Sequence, residues 1–144
     1  MNRRDLVLTI LAAADGRTFT PVQIQKAVFV ICDRVPDIVD DGPGFNFELY
    51  DYGPFDSDVY FELAQLQRSG DVVIAPSGQG NWNTYAATDI GVRRGDTLLE
   101  SLEDEKQGYI LRVSDWVRSL SFTSLVKSIY EAYPRMRANS IFRG

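Results

Sequence analysis

The stretch DVYFELAQLQRSGDVVIAPSGQGNWNTYAA at residues 58–87 decides the fold. Its first part repeats apolar residues at helical spacing and ends at Gly70, so it predicts a helix. Residues 71–75 and 82–87 then predict two strands, and the turn residues between them predict a β-hairpin. A helix followed directly by a hairpin of this size is typical of a winged helix.

Two helices are predicted before this stretch. The first covers about residues 3–14 and ends where Gly16 can take a left-handed turn. The second has an unusually complete start signal: Thr20 is a helix cap, Pro21 follows it, and Gln23 completes a capping box. An apolar pattern with helical spacing continues from there, and Pro36 stops it.

The segment between the second and third helices predicts irregular structure. Residues 37–45 have the composition of an exposed acidic loop, and residues 46–51 predict a short extended segment. Gly53 and Pro54 predict a turn before the third helix, which Asp56 or Ser57 caps.

The C-terminal part is predicted to be helical. Residues 88–101 predict one helix, which Gly91 and Gly95 weaken by about 1 kcal/mol each relative to alanine. Two amphipathic stripes, at about residues 103–120 and 122–133, predict two more helices.

These elements predict an α+β, mostly α fold. We expect a single domain over residues 1–144, with a winged-helix-like core at about 1–88 and a C-terminal helical extension at about 89–144. Cys32 is the one cysteine and lies in an apolar run, which suits a reducing cytoplasm. No apolar stretch is long enough to predict a membrane span.

The composition argues against catalysis and against a cofactor or a metal. The chain has no histidine, the commonest general base and metal ligand, and a lone thiol cannot form a zinc site. Asp56, Asp58 and Glu62 could be paired catalytic carboxylates, but acidic residues in a first helical turn are already favoured by the helix dipole. We therefore expect a protein that is not an enzyme.

Charge argues against the DNA-binding function that a winged helix usually has. The net charge is −5, and residues 1–71 carry twelve Asp and Glu but six Lys and Arg. We expect Asp58 and Glu62 to face outward on the third helix, where they would repel phosphate. A DNA-binding transcriptional regulator is therefore the alternative rather than the preferred function.

We instead predict a macromolecule-binding module whose partner is a protein, with a basic surface that the acidic half attracts. Exposed aromatic side chains are common hot spots of such interfaces. Two other interpretations stay open: Tyr52 and Phe55 packed beneath the third helix, and Trp82 covering the hairpin. The predicted partner-binding residues are Tyr52, Phe55, Asp56, Asp58, Glu62 and Trp82.

Three segments stand out together: QKAVFV at residues 25–30, YDYGPFDSDVY at 50–60, and residues 122–133 with the tail at 138–142. They resemble bacterial Panacea/SocA-like and YwgA-like proteins, a family that is often phage-associated. The resemblance implies a winged-helix-type domain and an antitoxin that neutralises a toxin partner. Panacea proteins commonly have a Tyr-rich, Trp-bearing helix after the QK segment, and this chain has Val30, Ile31 and Cys32 there instead. The resemblance is therefore greater to the YwgA-like proteins.

Overall fold

Residues 1–137, which the computed structural model describes, form an α+β and mostly helical fold, as the sequence predicts. Within them, 57% helix and 12% strand are arranged as six α-helices and two small antiparallel hairpins. The helices are α1 (Arg3–Ala13), α2 (Pro21–Arg34), α3 (Asp58–Arg68), α4 (Asp89–Glu100), α5 (Asp104–Ser119) and α6 (Phe122–Ala132), and a short 3₁₀ helix covers Pro134–Arg137. The hairpins are β1 (Glu48–Tyr50) with β2 (Gly53–Phe55), and β3 (Val72–Pro76) with β4 (Asn83–Ala87).

Helices α1, α2 and α3, followed by the wing β3–β4, form the winged-helix-like core. Phe19, between α1 and α2, pairs with Tyr85 of β4 as a third, one-residue strand. Their backbone N–H groups each donate to the other residue's carbonyl oxygen, over 2.8 and 3.0 Å. These two hydrogen bonds fix the wing to the start of α2.

The predicted capping box at the start of α2 is confirmed. The Thr20 hydroxyl accepts a hydrogen bond from the Gln23 N–H, and the Gln23 side chain accepts one from the Thr20 N–H. Pro21 takes the first helical position, where no N–H is needed. The first turn of α2 is therefore capped by groups within the turn itself.

The prediction of a turn at Gly53 and Pro54 is wrong, because both residues belong to β2. The turn lies before them, and Tyr50 pairs with Gly53 across the hairpin. Gly53 has a φ of +104°, a conformation that favours glycine over any other residue. Pro54 fits in β2 because a two-stranded sheet leaves one side of each strand without a ladder partner.

The C-terminal helices share the core of the winged-helix-like part. Ile110, Val113 and Val117 of α5 are buried in the same apolar cluster as α1 and α2. The buried Ser114 hydroxyl also donates to the Ile10 carbonyl oxygen of α1, over 3.1 Å.

No helix within residues 1–137 is long and apolar enough to cross a membrane. The tail segment at 138–142 lies outside the described residues.

Glycines let α4 pack directly on the core. A Cβ atom at Gly91 would lie 1.9 Å from the backbone oxygen of Asp71, and one at Gly95 would lie 2.3 Å from the Ala12 Cβ. The two glycines lower the helix propensity of α4, as the sequence predicts, but they also allow this close approach. Tertiary packing therefore explains why a helix with two glycines forms here.

Gly91→Ala is expected to destabilise the protein, because the new Cβ meets backbone that cannot rotate away. We expect the free energy of unfolding to fall by about 1–3 kcal/mol in urea denaturation followed by circular dichroism. Gly108→Ala in α5 is the matched control, since its Cβ meets only the end of the Arg112 side chain, at 3.1 Å. It should be neutral or stabilise by up to about 1 kcal/mol. Equal effects of the two changes would contradict this description of α4.

Candidate functional site

A cavity of about 500 Å³ opens between the start of α2, the hairpin β1–β2, the wing and the start of α6. Apolar and aromatic side chains form most of its wall. Cavities of this size and character are typical of ligand and partner sites. The aromatic residues that line it are Tyr50, Tyr52, Phe55, Tyr60, Trp82 and Phe122.

Lys26 is the charged residue in this wall among the residues described. Its side chain is buried, and its ammonium group donates a hydrogen bond to the Pro54 carbonyl oxygen over 3.0 Å. None of the ion pairs within residues 1–136 involves Lys26. Burial lowers the pKa of Lys26 to about 7, from an ordinary value of 10.5.

Lys26 is buried because α2 is covered on all sides. The helix is buried without interruption from Ile24 to Ile31, including the polar pair Gln25 and Lys26. Sequence reasoning missed both as site residues. The signal that could have found them is the continuous apolar run at residues 27–32, since a helix that is apolar all round also buries its polar neighbours.

Gln25 and Lys26 fasten the first hairpin to α2. The Gln25 amide donates to the Asp56 carbonyl oxygen over 2.9 Å and accepts from the Asp56 N–H over 3.1 Å. The bond from Lys26 to Pro54 lies two residues earlier in the chain. We call these three hydrogen bonds the clamp. They join residues 25–26 of α2 to residues 54–56.

The structure brings three of the predicted partner-binding residues together in the cavity. Tyr52 is exposed and packs edge-on against Phe122, with ring centroids 5.0 Å apart. Phe55 is half-buried between Tyr50 and Tyr60, so it packs partly against α3, as the alternative interpretation has it. Tyr52, in contrast, reaches across to α6.

Gly80, two residues before Trp82 in the wing, leaves room for the Trp82 side chain. A Cβ atom at Gly80 would lie 1.9 Å from the indole ring, so the ring rests on that glycine. The side chain remains 41% exposed and also lines the cavity. Trp82 therefore covers part of the hairpin and also faces the site.

The three predicted acidic site residues do not line the cavity. Both carboxylate oxygens of Asp56 accept backbone hydrogen bonds, from Asn46 over 2.7 Å and from Asp58 over 2.8 Å. Asp56 therefore caps α3 with its side chain, one of the two caps that the sequence allows, while Ser57 makes no such bond. The Asp56 carboxylate therefore stabilises the start of α3, and no binding partner is needed to explain its position.

The prediction that Glu62 faces outward is wrong. Glu62 is 4% exposed, and its carboxylate forms ion pairs with Arg3 over 2.6 Å and Arg4 over 2.9 Å. Asp58, which is only partly exposed, pairs with Arg3 over 2.9 Å. The helix periodicity of α3 alone does not show that α1 lies against this side and supplies two arginines. Glu62 therefore joins α1 to α3 and is not available to a partner.

Among the described residues, no group of three or more His, Cys, Asp or Glu is placed to hold a metal ion. Comparison of the chain with protein-family models gives no match, and comparison with curated proteins gives none. The chemistry of the cavity therefore has to be inferred from its own residues.

Lys26→Met removes the ionisable amine and keeps a side chain of similar length. Between the folded pKa of about 7 and the ordinary value of 10.5, the unfolded chain binds more protons than the folded chain. Stability due to Lys26 therefore rises with pH across this interval and is lowest below it. Relative to the variant, we expect the wild-type free energy of unfolding to increase above about pH 7 by up to about 1.4 kcal/mol per pH unit.

Urea denaturation of both proteins from about pH 6 to about pH 9 measures this difference. The variant is the control for every other titratable group, because the two proteins differ only at residue 26. Parallel stability profiles would mean that the amine of Lys26 keeps an ordinary pKa.

Proposed function

We propose that this protein is a non-catalytic module that binds a protein partner at the mouth of the aromatic cavity. Four exposed side chains, which we call the aromatic rim, lie there: Tyr50, Tyr52, Trp82 and Phe122. Each is between 40% and 52% exposed, and they come from three separate parts of the chain. This convergence is the observation that carries the proposal, because clustered exposed aromatics mark interaction sites.

The DNA-binding alternative has less support, for a reason that differs from the one the sequence suggested. Acidic repulsion from α3 is weak, since Arg3 and Arg4 pair with its two carboxylates. The surface formed by α3 and the wing has too few cations. Phe61 and Ala64 are exposed on α3 beside Arg68, and the wing loop at residues 76–81 has no Lys or Arg. Non-specific DNA affinity requires several such cations.

The structure also gives less support to a basic partner. Asp40 pairs with the N-terminal amine over 2.6 Å, and Asp37 lies 3.6 Å from the Lys106 amine. Several carboxylates of the acidic half are thus engaged within the chain. The proposed contact is therefore primarily apolar and aromatic, and opposite charge is secondary to it.

An antitoxin-like or phage-defence-associated role is the form of this function that the resemblance favours. We place it in the cytoplasm, where the half-buried Cys32 remains a thiol. Both statements rest on sequence, whereas the partner site rests on the aromatic rim.

The test is a quantitative pull-down from the source cells with wild type and two rim variants, Trp82→Ala and Phe122→Ala. A partner that uses the rim should bind either variant at least about thirtyfold more weakly and be recovered correspondingly less, because truncating an interface aromatic costs about 2 kcal/mol or more. Phe61→Ala is the matched control, since Phe61 is 51% exposed on α3 and does not line the cavity. Circular dichroism checks that all three variants fold.

If both rim variants still recover the partner and Phe61→Ala does not, the interface lies on α3 and not at the rim. Fluorescence anisotropy with random duplex DNA at low salt addresses the alternative. Micromolar binding with a steep salt dependence would contradict the proposal and favour a regulator.

A further inference from the structure

Protonation of the Lys26 amine costs free energy because the side chain is buried. Its side chain is buried among apolar groups, and the Pro54 carbonyl oxygen is its hydrogen-bond acceptor in the described structure. An ammonium group has three N–H donors, and a buried charge is stable when an opposite charge pairs with it. The cavity beside Lys26 is where such a charge can enter, since Lys26 is part of its wall.

We propose that the cavity is a binding site for a small apolar carboxylic acid. The ligand carboxylate pairs with Lys26, and its hydrocarbon part lies among the aromatic rings. This site goes beyond the proposed partner contact and does not depend on it, because the acid occupies the cavity behind the aromatic rim.

Charge complementarity selects an anion of this kind. The other titratable side chains that line the cavity are Tyr50, Tyr52 and Tyr60, and Tyr130 lies next to Lys26 at Gly53. Lys26 is the only Lys, Arg, Asp or Glu in this lining among the described residues, so it gives the site its charge. The first turn of α2 also lines the cavity, and the positive end of its helix dipole adds to the attraction.

The size and walls of the cavity select an apolar body. A volume of about 500 Å³ falls in the range of small-molecule sites, and one charge among aromatic and aliphatic side chains fits an amphipathic monoacid. A highly charged ligand such as a phosphate ester would leave most of its charge without a partner here. A single carboxylate has the charge that one lysine can pair.

A covalent role for Lys26 fits the site less well. A neutral lysine amine can attack a carbonyl carbon, but loss of water from the adduct needs a proton donor. The chain has no histidine, and no carboxylate lines the cavity among the described residues. Burial raises the pKa of the Tyr60 hydroxyl to about 12, which makes it a weak proton donor. Reversible pairing with a carboxylate needs neither group.

Isothermal titration calorimetry of the full chain tests the proposal with 3-phenylpropionate and octanoate, each compared with its neutral amide. The acid and its amide have nearly the same shape, so the comparison isolates the charge. We expect each acid to bind at least about tenfold more tightly than its amide, as expected for a hydrogen bond to a charged group. Lys26→Met should abolish this preference.

Two further variants separate the cavity from the rest of the surface. Val22→Trp places a large side chain on the cavity wall and should weaken binding of acid and amide alike. Arg112→Met removes a cation that lies over Tyr109 on α5, outside the cavity, and should leave acid binding unchanged.

Equal affinity of acid and amide would overturn the proposal, as would the absence of binding by every probe at millimolar concentration. If Lys26→Met does not fold, NMR of the wild-type protein tests the proposal instead. A shift of the Lys26 Cε resonance with 3-phenylpropionate, and not with its amide, supports the site, and an unchanged resonance overturns it. These outcomes are independent of the pull-down, which tests the rim.

Discussion

The clamp between α2 and the first hairpin is the constraint on which the site depends. Gln25 and Lys26 hold Pro54 and Asp56 by three hydrogen bonds from one turn of a buried helix. This fixes β2 against α2 and presents Tyr52 to α6. The clamp adds polar bonds to the aromatic packing of Tyr52 on Phe122 and of Phe55 on Tyr60. The hairpin needs such contacts, since isolated two-stranded sheets are marginal in water. The burial of Lys26 and the shape of the cavity thus have one physical origin.

Much of the fold could be predicted because its signals are local. The capping box of α2 and the hairpin of the wing depend on residues close together in sequence, and both are present as predicted. The extended segment predicted at residues 46–51 contains β1, but β2 was missed because Gly53 and Pro54 have turn chemistry, which a two-stranded edge also accepts. Glu62 was misplaced because its neighbours Arg3 and Arg4 lie far away in sequence.

Less of the site could be predicted. Tyr52, Phe55 and Trp82 were identified as aromatic contact residues near turns, and the structure places all three in one cavity. The apolar run at residues 27–32 predicts at most that Lys26 is buried, and no local signal showed that it would line a cavity with Tyr52 and Phe122. Such convergence is set by packing between helices that are distant in sequence, so pattern alone does not reveal it. The predicted residues that line the cavity are therefore all aromatic, whereas Phe122 and Lys26 were missed.

The ionisation of Lys26 tests this account most directly. An NMR titration of the lysine ¹³Cε resonances, assigned with Lys26→Met and referenced to the exposed Lys127, follows this amine alone. A buried amine without a counter-charge should titrate with a pKa of about 7. A midpoint near the ordinary value of 10.5 would contradict the account, because it would mean that Lys26 is solvated or paired and that the cavity has no buried charge to offer.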